Sequence, residues 1–460
     1  MTNTLYLPEL REMLAVNDAA ELREFCIALH AARTAEFMEG LTAAEAWAVL
    51  QHTDASTRAE IFGYFDRDKQ VEIIESADRA AIGSLIADLP PDDRVDMLKS
   101  VRPEIVDELL PFIPAFDRRD ILRLQSYPEG TAGAMMTTSY AKIGEGLTVK
   151  QALDEIGRQA QELETIYYIY IVDDHDHLRG LVSARQLVSA MGKPLTKIDD
   201  LMECDLVTAN VADDQEKVAQ EVARYDLHAI PVLDDERHML GIITHDDVID
   251  IFSAEATEDV YRMGAVTPLD ENYLEANFRT IWWKRSIWLS CLFVAEFFTF
   301  TVLKQFDESM EKILALALFV PLCISTGGNS GAQAATLITR AMALGQVNVR
   351  DWWRVLRHEL SMGLALGITL GSIGFFRAFF VPARDLGSAD PVMFAVVISL
   401  AVTLICLWGT LVGSMLPLIF RQFGFDPGYA SSPFVATFVD VTGIMILFSL
   451  AQVFLVMPPG

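Results

Sequence analysis

Residues 391–419 read PVMFAVVISLAVTLICLWGTLVGSMLPLI and contain no Asp, Glu, Lys or Arg. A helix needs about 20 consecutive apolar residues to cross a bilayer core, so this stretch is long enough to span one with some tilt. Four further apolar stretches of comparable character lie near residues 286–303, 313–339, 360–382 and 432–457. The sequence therefore predicts an α-helical polytopic membrane domain of five helices in residues 284–460.

The charge of the protein lies almost entirely before these stretches. Of 64 acidic and 36 basic residues, only ten acidic and eleven basic ones fall in residues 281–460, so the negative net charge of the chain, −28, arises from the first 280 residues. Such an acidic region is repelled by nucleic acid and by anionic lipid headgroups, and it favours cations or basic partners. We therefore expect no nucleic-acid partner, although simple solubility also explains a surplus of charge.

The flanking residues predict the orientation of the membrane domain. The N-terminus lacks a basic region followed by an apolar stretch, so no cleavable signal peptide is expected. Five scattered cysteines without a C-x-x-C pair indicate a reducing compartment. Basic residues are more frequent on one side of the apolar stretches, which the positive-inside rule makes cytoplasmic. The N-terminal half is thus predicted to be cytoplasmic and the C-terminus outside.

Two further regions precede the membrane domain. In residues 1–130 a loose repeat, R-x-[DE]-[IM]-[FL], occurs at Arg58–Phe62 and Arg94–Leu98 and, altered, at Arg118–Leu122, which predicts a helical superhelix. In residues 131–260 the block 168–183 matches the block 229–244. Each copy predicts strand, acidic turn, glycine, strand and helix, and this α+β duplication resembles a tandem pair of CBS domains, residues 131–199 and 200–260. Residues 261–283 are predicted to form a helix that connects the pair to the membrane domain.

The fifth apolar stretch contains one carboxylate, Asp440. A charge at the centre of a membrane helix costs at least about 2.5–3.5 kcal/mol, so it requires a cation, a partner or water. The only other acid that we assign to the apolar stretches is Glu296, and no Lys or Arg lies in the interior of either segment. A cation pathway is therefore favoured over a structural role.

The second apolar stretch contains the small and polar residues of PLCISTGGNSGAQ, 321–333. Asn329 and Gln333 are spaced i, i+4, so both amides can face one lumen and contact a hydrated ion. A helix-packing or kink motif explains the same residues equally well. Carboxylate, carbonyl and amide oxygens suit Mg²⁺, but this chemistry alone does not distinguish Mg²⁺ from Ca²⁺, Mn²⁺ or Co²⁺.

Residues 321–345, PLCISTGGNSGAQAATLITRAMALG, and 423–451, FGFDPGYASSPFVATFVDVTGIMILFSLA, resemble the MgtE family of magnesium channels and transporters. The resemblance covers essentially the whole chain. It implies a homodimer in the bacterial inner membrane that conducts Mg²⁺ passively through a pore on the dimer axis. It also implies that the chain is not an enzyme. In that pore Asp440 faces the ion with the Ala436 carbonyl, and Asp426 at the cytoplasmic mouth helps to hold the closed state.

The resemblance also implies that Mg²⁺ closes the pore by bridging the cytoplasmic domains and the connecting helix. Clustered like charges repel, so these acids should separate without metal and draw together around divalent ions. For any single acid, a solvated surface position is the alternative. The acids assigned to this regulation are Glu60, Asp92, Asp96, Asp214, Glu216, Asp226, Asp246, Asp247, Asp250, Glu258 and Asp259.

A nucleotide is the second ligand that the CBS resemblance suggests. Thr244 and Asp247 match the Thr-x-x-Asp pattern with which some CBS pairs bind adenine nucleotides, whereas the first copy lacks the acid, so ATP is expected at one cleft only. Asp247 would then have to bind both the ribose and Mg²⁺.

Three other functions fit the sequence less well. A metalloprotease lacks its H-E-x-x-H motif, and a CBS-regulated anion channel would carry the pair after the membrane domain. A membrane-anchored nucleotide sensor does not need polar residues inside its helices.

Overall fold

The computed structural model describes residues 5–160, 163, 165–269, 273–274, 276–306, 313–387 and 389–456. Its contacts divide the chain into two compact units, Met1–Ser253 and Ala254–Gly460. The helices that precede the first strand are α1 (Leu7–Val16), α2 (Ala19–Ala28), α3 (Ala31–Met38), α4 (Ala43–Leu50), α5 (Ala55–Gly63), α6 (Arg67–Ser76), α7 (Arg79–Asp88), α8 (Pro91–Lys99), α9 (Pro103–Leu109), α10 (Ala115–Leu124) and α11 (Ala132–Met135).

The arginine of the N-terminal repeat has one structural task. The last carbonyl groups of a helix have no partner within that helix, and in each repeat the arginine donates to carbonyls at or just after the end of an earlier helix. Arg94 is 4% exposed and also forms an ion pair with Asp117, 3.0 Å away. The donors and their acceptors are Arg58 to the Leu50 and Thr53 carbonyls, Arg94 to those of Ala87 and Leu89, and Arg118 to that of Leu110.

Two three-stranded sheets follow, and they share one topology. In each sheet the first strand pairs parallel with the second, which pairs antiparallel with the third. Equivalent residues occupy equivalent registers, Ile171 opposite Gly180 and Val232 opposite Gly241. The predicted CBS pair is thus confirmed. Its elements are β1 (Tyr140–Gly144), α12 (Val149–Gln159), β2 (Thr165–Val172), β3 (Leu178–Ser183), α13 (Ala184–Ala190), β4 (Ala209–Asn210), α14 (Gln215–Arg224), β5 (Ala229–Leu233), β6 (Met239–Thr244) and α15 (His245–Met263).

The two CBS copies differ in where their apolar cores lie. The core of the N-terminal helices continues without a break into the second copy, through residues such as Val218, Ile230 and Ile243. The first copy has a separate core that includes Ile143 and Ile169. The second copy is therefore the one whose packing is continuous with the N-terminal helices.

The connecting helix differs from the predicted segment 261–283. Helix α15 begins within the second CBS copy and ends at Met263, where Ala265 adopts a left-handed conformation with φ 56°. The N–H of Val266 then donates to the Tyr261 carbonyl and that of Ala265 to the Arg262 carbonyl, a hydrogen-bond pattern that closes a helix. Within the described part of 264–277, the chain forms no helix, and residues 270–272 and 275 lie outside the described residues.

Five helices among the described residues are long and apolar enough to cross a membrane, which confirms the predicted number. Close backbone approach holds three of them together: a Cβ at Gly413 would collide with the Gly331 carbonyl, and one at Gly363 with the Thr410 hydroxyl. Small residues at such contacts are typical of membrane helix packing. The helices are α16 (Phe278–Gln305), α17 (Leu314–Ala343), α18 (Trp352–Phe379), α19 (Pro391–Gln422) and α20 (Ser432–Ala451).

Candidate ion-conducting site and regulatory acids

Asp440 lies half-buried on α20, where that helix packs against α17. A Cβ added to Gly328 would stand 3.4 Å from Asp440 Oδ1 and 3.3 Å from the Cβ of Ala436, one turn earlier on α20. Gly328 of α17 therefore faces the predicted ion ligands directly, whereas its neighbour Gly327 faces Ile405 and Val439. In the described part of the chain, no Lys or Arg forms an ion pair with Asp440.

A polar stripe lies on α17, the helix that contains Gly328. Ser325, Asn329 and Gln333 follow one another at intervals of four residues, and all three are exposed in the single chain. The Asn329 amide donates to the Ser325 hydroxyl at 3.2 Å, which leaves its carbonyl oxygen available for a ligand. Gln333 lines a cavity of about 370 Å³ together with Ala332, Thr336, Leu337 and Ser432. We call Ser325, Asn329 and Gln333 the α17 polar stripe.

Two other acids belong to the membrane-length helices. Glu296 on α16 lies close enough to Asp440 for the two carboxylates to repel each other. Glu359 on α18 is 7% exposed. It directly precedes the predicted apolar stretch 360–382 but belongs to the same helix, since α18 begins at Trp352.

Asp426, predicted at the cytoplasmic mouth, lies just before α20. Its carboxylate accepts from the Gly428 N–H at 2.6 Å and so caps the 3₁₀ turn Pro427–Tyr429. It also forms an ion pair with Arg262, which pairs with Glu258 one turn earlier on α15. The predicted pore-mouth acid Asp426 and the predicted regulatory acid Glu258 thus meet at one guanidinium group.

Asp259 is half-buried beside this contact. Burial, with the neighbouring Glu255 carboxylate, raises the pKa of Asp259, and Arg262 and Arg340 oppose that shift. The predicted acids Glu258 and Asp259 therefore both have acidic and arginine side chains as neighbours.

A second group of acids lies between α8 and α15 within the first unit. Asp93 is close enough to Asp96, Asp246 and Asp250 to feel their charges. Burial raises the pKa of Asp247 to about 6, and the carboxylates of Asp246 and Asp93 add to the shift. We call these five residues the α8–α15 acid cluster. Sequence reasoning chose Asp92 and Asp96 on α8 and missed Asp93, whose i, i+3 spacing to Asp96 was the available signal.

Thr244 and Asp247 form a local hydrogen-bonded pair at the start of α15. The Thr244 hydroxyl donates to Asp247 Oδ2 at 2.5 Å, and the Thr244 N–H donates to the same oxygen at 3.2 Å. Thr244 is 4% exposed. Both bonds end on Oδ2, so Oδ1 accepts neither of them.

The remaining predicted acids have local roles or open positions. Asp214 caps α14 by accepting from the Glu216 N–H at 3.0 Å, and Asp226 lies exposed in a left-handed conformation with φ 52°. Glu60 is exposed on α5, and Asp92 Oδ1 is buried. Across the part of the chain that the structure describes, no three His, Cys, Asp or Glu side chains are placed to hold a metal ion together.

Comparisons with known proteins agree with this architecture. Family models match at residues 29–130 (MgtE intracellular N domain), 132–193 and 198–254 (CBS domain) and 320–450 (MgtE, divalent cation transporter). The magnesium transporter MgtE of Thermus thermophilus is 40% identical over 336 residues, covering 73% of this chain and 72% of that protein. The magnesium transporter MgtE of Enterococcus faecalis is 33% identical over 338 residues, covering 73% and 72%.

Among solved structures, the soluble part of a magnesium transporter is 31% identical, with a TM-score of 0.51, and covers 54% of this chain and 97% of that one. The matched regions run in the same order as the helical, CBS and membrane parts described above, and the first of these relatives meets this chain over nearly three quarters of its length. The chain therefore belongs to the MgtE family of divalent cation transporters.

Proposed function

We propose that the chain forms a homodimer in the bacterial inner membrane and conducts Mg²⁺ through a pore lined by Asp440 and the α17 polar stripe. The observation that carries this proposal is the position of Asp440. It is half-buried beside Gly328 and Ala436, and no basic residue of the described part is paired with it. An unpaired carboxylate inside a membrane helix is stabilised by a cation or by water, and both are present in a cation pore.

The exposed polar stripe supports a dimer. Ser325, Asn329 and Gln333 would face lipid if the single chain were alone in the membrane. Uncompensated polar groups in hydrocarbon are costly, and a second copy placed against this face would enclose them around a water-filled path. A ring with one carboxylate and two amides from each subunit suits a Mg²⁺ ion that keeps several of its waters.

The cytoplasmic acids support closure by Mg²⁺. The α8–α15 acid cluster brings five carboxylates together without a basic counterpart for most of them, so the cluster is repulsive in the absence of metal. Divalent ions that bind there would stabilise one arrangement of α15. Because α15 leads into the segment before the membrane helices, its position would then act on the pore. The N-terminal half is then cytoplasmic and the C-terminus outside, as the basic residues near α16, α17 and α18 indicate.

The experiment that tests the pore is Mg²⁺ flux into proteoliposomes with internal Mg²⁺ set low or high. We expect the wild type to conduct at low internal Mg²⁺ and to close at high internal Mg²⁺. Asp440→Asn should abolish flux under both conditions while dimers still form, because it removes the charge but keeps the volume. Glu296→Gln, a neighbouring acid change, should retain flux. Normal flux in Asp440→Asn would refute the pore.

ATP is proposed as a second ligand of the CBS pair. Asp247 Oδ1, which accepts neither Thr244 bond, is available to a ribose hydroxyl. Equilibrium dialysis of full-length protein with labelled ATP should give one site per chain, which Asp247→Asn weakens. Two sites per chain, or unchanged binding in the variant, would contradict this assignment.

A further inference from the structure

Arg262, in the last turn of α15, makes three contacts at the cytoplasmic end of the membrane unit. Its guanidinium forms ion pairs with Glu258 and with Asp426, and it lies over the Tyr429 ring with 5.6 Å between the guanidinium carbon and the ring centroid. The base of the Arg262 side chain also lies close to this turn, since a Cβ added to Gly428 would stand 3.1 Å from Arg262 Cβ. The end of α15 is therefore joined to the turn Pro427–Tyr429.

That turn is connected to the ion-conducting helix. Asp426 caps the turn through the Gly428 N–H, and Ser431, 1% exposed, caps α20 through the Phe434 N–H at 3.4 Å. Asp440 lies on the same helix, just over two turns further along. The Tyr429 ring also stacks on Trp288 of α16, with 6.1 Å between centroids. A displacement of Arg262 would thus be transmitted to the start of the helix that carries the pore acid.

The contact places one positive charge beside two carboxylates, as a bound metal cation would. The side chains of Arg262, Glu258 and Asp426 are 23%, 33% and 29% exposed, so the charges are shielded from much of the solvent. A planar guanidinium can satisfy two carboxylates at once through separate N–H groups and can stack on an aromatic ring with its face. One side chain therefore pairs with two acids and offsets one of their two negative charges, so that a net negative charge remains at the contact.

We propose that Arg262 is a gating residue: a tethered cation that holds the end of α15 against the pore-mouth turn without metal and so lowers the Mg²⁺ concentration needed for closure. This role rests on the proposed closure by Mg²⁺. The regulatory Mg²⁺ ions would then complete a contact between α15 and the pore-mouth turn that Arg262 has already formed in part.

Flux in proteoliposomes tests the role directly. Arg262→Gln should raise the internal Mg²⁺ concentration for half-closure by about threefold or more, the order expected for a partly buried ion pair. Arg262→Lys keeps the positive charge but loses the planar guanidinium and its separate N–H donors. It should therefore give an intermediate shift of the half-closure concentration. Arg350→Gln is the matched control, since Arg350 is exposed and has no ion pair in the described part of the chain. A half-closure concentration that is unchanged or lower in Arg262→Gln would overturn the proposal.

Amide hydrogen exchange in EDTA separates this inference from the proposed closure. Without metal, Arg262→Gln should exchange faster than Arg350→Gln over residues 258–266 and 426–430, because the contact itself is metal-free. Equal exchange in the two variants would refute the contact even if Mg²⁺ closes the pore. A wild type that Mg²⁺ does not close would refute the gating role even if the exchange rates differ.

Discussion

The Asp440 carboxylate lies directly beside Gly328, so that a single added carbon on the glycine would stand 3.4 Å from Asp440 Oδ1. The same carbon would stand 3.3 Å from the Cβ of Ala436, closer than side chains usually pack. The small side of Gly328 thus has a specific consequence: it allows α20 to approach until Asp440 adjoins α17. Helix packing and ion conduction are alternatives for this motif, and the proposed pore would depend on the same contact that packs the helices.

Gly328→Ala should therefore reduce Mg²⁺ flux by at least about tenfold, equivalent to about 1.4 kcal/mol in the barrier, because α20 must shift to admit the methyl group. Gly374→Ala on α18 is the control, since its added carbon would meet nothing nearer than 3.6 Å. Both variants are measured by flux in proteoliposomes at low internal Mg²⁺. Equal flux in the two would show that Gly328 has no part in placing Asp440.

Arg94→Met should destabilise the cytoplasmic half by about 3 kcal/mol. The substitution leaves the Asp117 carboxylate and the Ala87 and Leu89 carbonyls without their donor at a site that is nearly buried. Arg33→Met removes an exposed ion pair between residues three apart and should cost less than about 0.5 kcal/mol. The measurement is the unfolding midpoint of the full chain in detergent, and a similar loss in the two variants would contradict the role given to the repeated arginine.

His238 predicts a pH dependence of stability. The His238 ring donates a hydrogen bond to the Asp234 carboxylate, which raises the pKa of His238, aided by the charges of Asp234, Glu236 and Asp173. The stacked ring of His177, 4.4 Å away between centroids, faces it from the first CBS copy. Because the folded pKa exceeds the unfolded value near 6.5, the stabilisation is complete below pH 6.5 and is lost as pH rises through the folded pKa.

His238→Gln should consequently lower the unfolding midpoint more at pH 6 than at pH 9. His52→Gln serves as the control, because the His52 side chain has no carboxylate partner in the described part of the chain. The midpoints are measured by thermal unfolding of the full-length protein in EDTA at each pH. A loss of equal size at the two pH values would mean that the Asp234 hydrogen bond does not depend on the imidazole charge.

The five membrane helices and the CBS duplication could be predicted because both are properties of local sequence. Apolar length alone decides whether a helix can span a bilayer, and two matching strand–turn–strand blocks predict two matching folds. The end of α15 could not be predicted, since Ala265 is not a residue that favours a left-handed conformation. The nearness of Asp93 on α8 to Asp246 and Asp250 on α15 could not be predicted either, because the two helices are far apart in the sequence.

Asp93 leads to the last prediction, which has opposite signs with and without metal. In EDTA, Asp93→Asn should raise the unfolding midpoint of the full chain, because it removes one of the mutually repelling charges of the α8–α15 acid cluster. In saturating Mg²⁺ the same variant should gain less from the ion than the wild type. A tenfold weaker site reduces the stabilisation by about 1.4 kcal/mol at a given ligand concentration.

Asp174→Asn separates this effect from a general loss of negative charge. Asp174 is an exposed residue of the turn between β2 and β3, remote in sequence from α8 and α15. It should therefore change neither the midpoint in EDTA nor the increment from Mg²⁺. If Asp93→Asn behaves like Asp174→Asn in both conditions, the acid cluster is a solvated surface, and closure by Mg²⁺ must depend on the acids near the pore mouth instead.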